Sequence, residues 1–347
     1  MKKVIITGVT GMDGSTMADY LINNTDHLIV AGIRRLSNDN HKNIEHLKNN
    51  PRFKLIDLDI TDSSNIESVI REEQPDYFIN FAANSFVGNS WTMPVNHMQT
   101  NCMAVLYQLE AVKKFAPNCR YYQAGSSEEF GDVVTVPQDE THPIRPRSPY
   151  GASKAAARML VKVYRESYNL YAIQGWLFNH EGVRRGSEFV TRKITQNVAR
   201  IKRSTNVGEK FEPLELGNLD SKRDWSDAED FVAGVWLMLN QASPKEYVFS
   251  SNETHSVREF VELAFKHAGI EGEWTLTQES DPTSEQFISS QGKCLVKINP
   301  KFYRPAEVDI LLGDSSLARK ELGWQPKVSF EKLVEKMVKN DLDLCNQ

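Results

Sequence analysis

The chain opens with a mostly apolar run, Lys3-Val4-Ile5-Ile6-Thr7, that leads straight into Gly8-Val9-Thr10-Gly11-Met12-Asp13-Gly14. No other feature constrains the fold as much. A strand, then Gly-x-x-Gly-x-x-Gly, then a helical period from Ser15 is the setting in which a glycine triad acts as a phosphate-binding turn. Gly8 permits the tight turn, Gly11 lets the backbone approach a pyrophosphate, and Gly14 lets the helix pack close to the strand. The helix aims its unbonded N–H groups at the same point. Thr10, Met12 and Asp13 fill the rest of the turn. The expected fold is α/β: a Rossmann-type doubly wound parallel sheet holding a dinucleotide at its first strand–helix junction.

The pattern downstream agrees. Apolar runs at His27–Ile33, Phe53–Leu58, Tyr77–Ala83, Arg120–Ala124 and Tyr171–Leu177 predict strands. Helical periods at Ser15–Asn23, Ser64–Glu73, Thr100–Phe115 and Tyr150–Tyr168 alternate with them. Such alternation predicts a parallel sheet covered on both faces. After residue 180 the pattern loosens. Helices are expected at Phe189–Lys202, Ala228–Asn240, Val257–Ala268 and Phe330–Lys339, and Glu273–Gly292 reads as a polar, loop-rich stretch. The chain divides into a Rossmann domain over residues 1–180 and a smaller, interleaved C-terminal substrate domain over 181–347. Residues 221–251, Tyr247–Ser251 in particular, are expected to return to the sheet.

A length of 347 residues accommodates two such domains. The net charge of -5 gives no global basic field for nucleic acid or an anionic membrane. No apolar stretch approaches the ~20 residues that span a bilayer. The four cysteines, Cys102, Cys119, Cys294 and Cys345, show no CxxC spacing. They suit a reducing compartment, so a cytoplasmic location is expected, without a metal.

The end of the second strand decides which dinucleotide fits. An acid there binds a ribose 2′-hydroxyl, whereas Arg accommodates a 2′-phosphate. Arg34 and Arg35 occupy the position, and no acid lies between Leu28 and Asn38. The expected cofactor is therefore NADP. Asp59 is placed to meet the adenine amine, and Ala82-Ala83 to let the nicotinamide half pass. Asp57 and Asp62 fit equally well as turn acids.

A second signature, Tyr150-Gly151-Ala152-Ser153-Lys154, follows Pro149. Four residues apart on a helix, Tyr150 and Lys154 share a face. A Lys charge there is expected to lower the phenol pKa, and such a phenolate can take a hydroxyl proton as hydride leaves the same carbon. Ser126-Ser127-Glu128 follow a strand and belong at the carboxyl edge of the sheet, where ligands bind. Ser126 can hydrogen-bond a sugar. Glu128 can remove a carbon-bound proton made acidic by an adjacent ketone, and Glu129 is its neighbouring competitor.

These residues resemble the extended short-chain dehydrogenase/reductases, and within them the GDP-mannose 4,6-dehydratase family. The likeness runs through GVTGMDGS, RRLSN, SSEEFG, PRSPYGASK, LFNHE, RRG, FVTRKI, LGNLDSKRDW, HSVREF and YRPAEVD to the Gly-Trp ending at Trp324. It implies Ser126, Glu128 and Tyr150 as active-site groups, with Lys154 supporting Tyr150. It assigns Gly8, Thr10, Gly11, Met12, Asp13, Gly14, Arg34, Arg35, Ser37, Asp59, Ile60, Ala82, Ala83, Ser85, Lys154, His180 and Arg185 to NADP. It assigns Ser85, Asn179, Lys193, Arg223, Arg304 and Glu307 to a GDP-sugar, the basic residues pairing with its diphosphate. It also implies a homotetramer or dimer, because Arg34–Asn38 resembles a loop that reaches a neighbouring subunit's cofactor site.

The chain departs from the family pattern at Met12, usually Gln, at Ser126, usually Thr, and over Asn84-Ser85-Phe86, where the family has Gln-Ser-His. The last departure lies near the sugar. It leaves 4,6-dehydration of a related GDP-sugar, such as GDP-manno-heptose, as the alternative activity. A 4-keto-sugar reductase needs no Glu128. A non-enzymatic NADP-binding regulator needs none of Tyr150, Lys154 and Glu128.

Overall fold

The structure is a computed structural model that describes residues 1–37, 40–276, 278, 281–302 and 310–346. Strand β1 (Lys3–Thr7) is followed by helix α1 (Met12–Asn24), β2 (Leu28–Ile33), β3 (Phe53–Asp57), α2 (Ser63–Glu73) and β4 (Tyr77–Asn80). Next come α3 (Pro94–Met98), a π-helical turn at Gln99–Met103, α4 (Ala104–Phe115), β5 (Arg120–Ala124), α5 (Pro149–Tyr168) and β6 (Ala172–Leu177). Seven parallel strands lie in the order Val248–Phe249, β6, β5, β4, β1, β2, β3. The order reverses between β1 and β4, and the carboxyl edge at that crevice is where such sheets take ligands.

The strands in the middle of this sheet are apolar on both faces because helices cover both. Val4 and Ile6 join one core with Met17, Ala18 and Leu21 of α1, while Ile5, Val30, Phe78 and Tyr121 join another with residues of α2, α4 and α5. Burial on both faces explains why β1 reads as a continuous apolar run rather than an alternating one.

The rest of the chain supplies β7 (Asn179–Glu181), α6 (Val190–Asn206), α7 (Ala228–Leu239), α8 (Val257–His267), α9 (Ser316–Leu322) and α10 (Phe330–Cys345). A third core joins Ile194 and Val198 of α6, Phe260 and Val261 of α8, and Leu333, Val334 and Met337 of α10. It is backed by a four-stranded sheet in the order Gly272–Leu276, Glu285–Ser289, Cys294–Ile298, Leu214–Leu216. That sheet corrects the expectation of a loop-rich stretch over Glu273–Gly292. Gly272–Leu276 is an edge strand and mostly exposed, and its alternation is confined to Glu273-Trp274-Thr275-Leu276, too short to mark a strand. It is held by one apolar cross-strand pair, Trp274 opposite Phe287, with ring centroids 5.0 Å apart. Helix α10 also runs past the expected Lys339 to Cys345. Asp341 is buried there and binds Thr195 (2.6 Å) and Arg192 (2.8 Å), so a polar residue continues the buried face. Among the described residues no helix is long and apolar enough to cross a membrane, and no cluster of His, Cys, Asp or Glu could hold a metal ion.

Candidate active site

At the crevice between β1 and β4, the glycine turn is shaped by contacts of the backbone with itself. Gly8 has φ +66°, and a Cβ on it would lie 2.7 Å from the Ala82 amide nitrogen. A Cβ on Gly14 would lie 2.4 Å from the Gly8 oxygen. Both positions therefore exclude a side chain. A Cβ on Gly11 would meet only the Gly8 oxygen, at 3.2 Å. Gly11 is the residue before α1, and no side chain caps the helix there. Its first-turn N–H groups thus remain available to an anion.

A cleft of about 1400 Å³ opens over this turn. Such a volume exceeds the roughly 300–1,000 Å³ of ordinary small-molecule and cofactor sites, which leaves room for an extended dinucleotide. Gly8, Thr10, Gly11, Met12, Asp13, Gly14, Arg34, Arg35, Asp59, Ile60, Ala82, Ala83, Ser85 and Arg185 all line it. Ser37, Lys154 and His180 do not. Arg34 and Arg35 are exposed, and among the described residues neither pairs with a carboxylate. The Asp59 carboxylate accepts the Thr61 amide (2.9 Å) and hydroxyl (2.7 Å), which makes it a turn acid at the cleft wall. Asp62 caps α2 instead. The glycine cradle, the open helix end and the two arginines fit a phosphate-rich dinucleotide.

Behind the glycine turn lies a half-buried charge cluster. Asp13 meets His180 Nε2 at 3.0 Å, and Arg185 meets Glu181 at 3.1 Å. Burial pushes the Asp13 carboxyl up, but His180, Arg185 and Lys154 outweigh it and hold the group below its ordinary range. Burial pushes the His180 imidazole down, and Asp13 outweighs that, leaving it above its usual value. The ion pair places neutralised charge, rather than a bare carboxylate, next to the helix N-terminus. Met12, one of the departures from the family pattern, is buried, with its sulfur 3.6 Å from where a Cβ on Gly182 would be.

The catalytic candidates meet where β5 ends. Ser126 starts the short helical turn Ser127–Glu129, and its hydroxyl accepts the Glu128 amide at 3.2 Å. Glu129 is wholly buried and accepts from the Ser126 amide (2.8 Å), Arg158 Nε and Gln174 Nε2 (3.0 Å). Glu128 is half-buried. Helix α5 docks its first turn on this segment. Ser148 caps it by accepting the Gly151 amide (3.0 Å), and a Cβ on Gly151 would lie 2.6 Å from the Glu128 oxygen. The glycine of Tyr-Gly-Ala-Ser-Lys thus lets Tyr150 come up beside Ser126 and Glu128.

Lys154 Nζ donates to the Ala124 oxygen at 2.9 Å and lies 5.9 Å from the centre of the Tyr150 ring. Burial lowers its pKa to about 8, with Glu129 and Asp13 working against the fall. The Tyr150 phenol is raised above its ordinary value, chiefly by burial and further by Glu128 and Glu129, while a hydrogen bond with Ser126 opposes the rise. The expected lowering by Lys154 is therefore not seen. The ammonium is turned to a backbone oxygen, and loss of water around the phenol dominates.

Two residues at this site carry no sequence signature. Asn101, in the π-helical turn, donates to the Asn84 oxygen (3.0 Å) and Ser153 Oγ (3.1 Å) and accepts the Asn84 amide (2.8 Å). It ties the loop after β4 to α5. His97 packs edge-on to Tyr150, with ring centres 6.3 Å apart. Phe86, another departure from the family pattern, packs edge-on to Phe189 (5.9 Å), whose face carries the Arg185 guanidinium at 3.5 Å.

The sugar-nucleotide candidates are more scattered. Asn179 begins β7, and its buried Oδ1 has no hydrogen-bond partner among the described residues. Arg223 lies in the short strand Lys222–Arg223, between His255 and Leu311 of its neighbours. Lys193 is not among the residues that line the cleft: its Nζ donates to the Glu215 backbone oxygen at 2.6 Å and sits 3.8 Å from the centre of the Phe302 ring. Arg304 and Glu307 lie outside the described residues.

Residues 5–337 match the family model described as GDP-mannose 4,6 dehydratase. The chain is 44% identical over 354 residues to GDP-mannose 4,6 dehydratase of Drosophila melanogaster, covering 100% of this chain and 87% of that one. It is 41% identical over 351 residues to the Cricetulus griseus protein of the same name, covering 99% and 92%. Among solved structures, dTDP-glucose 4,6-dehydratase from Bacillus anthracis in complex with NAD superposes with a TM-score of 0.78, at 21% identity, over 98% of this chain and 96% of that one. That last likeness bears on the fold alone. With its glycine turn, its Tyr150–Lys154 helix and its match from residue 5 to residue 337, the chain belongs to the GDP-mannose 4,6-dehydratase family.

Proposed function

We propose that the chain converts GDP-mannose to GDP-4-keto-6-deoxymannose and water with a retained NADP. The observation that carries the reading is the meeting of a hydroxyl, a phenol and a carboxylate, Ser126, Tyr150 and Glu128, at the end of β5, with Arg185 of the cleft wall near enough to act on the phenol. A reductase or a binding module has no use for the carboxylate. A bound nicotinamide would supply a reversible hydride carrier, for C4 of the sugar first and for C6 afterwards. Tyr150 takes the O4 proton, steadied by Ser126. Glu128 takes the C5 proton, which the new ketone has made acidic, and hands it to the departing C6 hydroxyl as water. The proton held on Tyr150 then returns to C5. Glu129 cannot serve as the base, because Arg158, Gln174 and the Ser126 amide already occupy its carboxylate.

In this reading Arg34 and Arg35 hold the 2′-phosphate. Asp13, His180 and Arg185 back the pyrophosphate. Asn179 offers its unpartnered oxygen to the sugar nucleotide, and Arg223 offers its charge to the diphosphate. The Rossmann unit carries the cofactor, the smaller unit carries the GDP-sugar, and the assembly is a homotetramer. The test is a panel of GDP-mannose, GDP-manno-heptose, UDP-glucose and dTDP-glucose, read by product mass and sugar NMR. GDP-mannose losing one water, with a C4 ketone and a C6 methyl, is the expected result. Turnover of the heptose alone would transfer the reading to that substrate. Nucleotide extracted from the purified protein should be NADP, and NAD alone would overturn the role of the two arginines.

A further inference from the structure

Asp224 is a wholly buried carboxylate that the chemistry above leaves unused. It stands between Arg223 and Trp225, the first residue of the strand paired with β7. Its Oδ1 accepts the amide and the hydroxyl of Ser251, each at 2.7 Å, and its Oδ2 accepts the Asn252 amide at 3.1 Å. The Gly313 amide is a further donor. Asn252 has a left-handed backbone, φ +69°, and its side-chain oxygen accepts from Ser250 (2.9 Å) and from the Ser315 amide (3.0 Å) and hydroxyl (2.6 Å). Gly313 is pressed into the same knot, since a Cβ on it would lie 2.5 Å from that of Ser250. The knot sits where the Arg223 strand, the turn after Val248–Phe249 and the turn before α9 converge.

We propose that Asp224 is a positioning residue for the sugar-nucleotide site: its carboxylate fixes the Arg223 strand against the Ser251–Asn252 and Gly313–Ser315 turns, so that its charge governs substrate binding rather than the chemical steps. This rests on the reading that Arg223 meets the diphosphate.

The groups around Asp224 make its charge consequential. Arg223 precedes it, His255 pairs with Arg223 across the small sheet, Asp314 lies in the facing turn, and Arg319 of α9 donates to the Ser251 oxygen. Among the described residues none forms an ion pair with the carboxylate, so neutral donors alone offset the burial. Burial raises its pKa to about 6 despite those hydrogen bonds. A proton added to either oxygen confronts a fixed amide N–H. The Ser251 hydroxyl can rotate away, but the amides of Ser251 and Asn252 cannot. The folded-state pKa lies above the unfolded value, so ionisation costs stability above pH 6 and acid relieves that cost. Acid therefore loosens the knot without unfolding the protein through this group.

The test is steady-state kinetics with the GDP-sugar substrate. Wild-type KM should rise as pH falls through about 6. Asp224→Asn should raise KM about tenfold at neutral pH, the loss of roughly one charge-assisted hydrogen bond, with kcat held and KM no longer dependent on pH in the acid range. Ser251→Ala removes one donor to the carboxylate and should move the acid limb to higher pH. An Asp224→Asn enzyme that keeps the wild-type acid limb overturns the proposal. If that variant does not fold, an unmoved limb in Ser251→Ala overturns it instead. Arg223→Ala separates the two readings. A rise in KM there without one in Asp224→Asn sinks the positioning role alone, whereas no rise in Arg223→Ala removes the diphosphate reading and the proposal with it.

Discussion

Two adjacent glutamates show how a fold assigns different work to identical side chains. Glu129 is buried against Arg158 and Gln174, while Glu128 is half-buried beside Tyr150. Glu128→Gln keeps the size and removes the basicity. It should lower dehydration by about a hundredfold to ten-thousandfold, the usual worth of a general base, with GDP-mannose still bound and the cofactor still open to transient reduction. Quench-flow with absorbance of the reduced nicotinamide reads both; near-normal turnover would place the base elsewhere. The Asp13–His180 pair carries a pH dependence of its own. His180 has its folded-state pKa raised, so the pair is complete below the ordinary imidazole value and is lost as pH rises through the raised one. On the proposed reading a bare Asp13 then faces the pyrophosphate. NADP affinity should fall as pH rises through that raised value, and His180→Asn should bind NADP weakly with that fall abolished. Calorimetric titration across the range checks the slope, and a parallel fall in the variant would rule the pair out as its source.

Among the elements, the first strand and helix are locked by a contact that admits no side chain. Gly14→Ala would force its Cβ to 2.4 Å from the Gly8 oxygen, so α1 must move away from the turn. A cost of about 1–3 kcal/mol in stability is expected, together with loss of most bound NADP, because the helix end moves with the helix. Thermal melts with and without cofactor measure both, and a variant that retains cofactor would show that α1 shifts without consequence. The same element was the plainest in the sequence, and the reason is local. Gly8 is required by its left-handed backbone, φ +66°, and Gly14 by a backbone contact made within seven residues, and β1 and β2 are buried on both faces and read as apolar runs. The Gly272–Leu276 and Glu285–Ser289 strands leave little sequence signal because one Trp274–Phe287 pair holds them while the edge strand is otherwise exposed. Asn101 and Asp224 are silent for a different reason: a polar side chain satisfied only by distant segments leaves no periodic mark. Spacing puts Tyr150 and Lys154 on one helix face but carries no sign of the burial that sets the phenol pKa.

At the scale of the whole molecule, the proposed tetramer needs two separate contact surfaces, and two places on the chain could supply them. Helix α5 exposes Met159 and Val163, 47% and 49% accessible and one turn apart, and the neighbouring Met98 and Met103 are also exposed. Elsewhere, at the mouth of the cofactor cleft, Arg34 and Arg35 stand exposed on the loop after β2. An apolar face of this kind marks contact with another protein. A second, distinct contact surface on the same chain is what turns a two-fold dimer into a tetramer with three two-fold axes. If the α5 face makes the dimer and the arginine loop joins dimers by reaching a neighbour's cleft, one guanidinium serves both assembly and cofactor. Arg35→Ala should then shift the tetramer toward dimer in light scattering and release NADP in the same concentration range. Met159→Lys should break the other contact while leaving the arginine loop intact, so assembly falls without the same loss of cofactor. A monodisperse wild-type monomer, fully active at assay concentration, would reject both contacts. A wild-type dimer that Met159→Lys dissociates and Arg35→Ala does not would keep the α5 contact, leave Arg34 on the 2′-phosphate, and remove the cross-subunit role of Arg35.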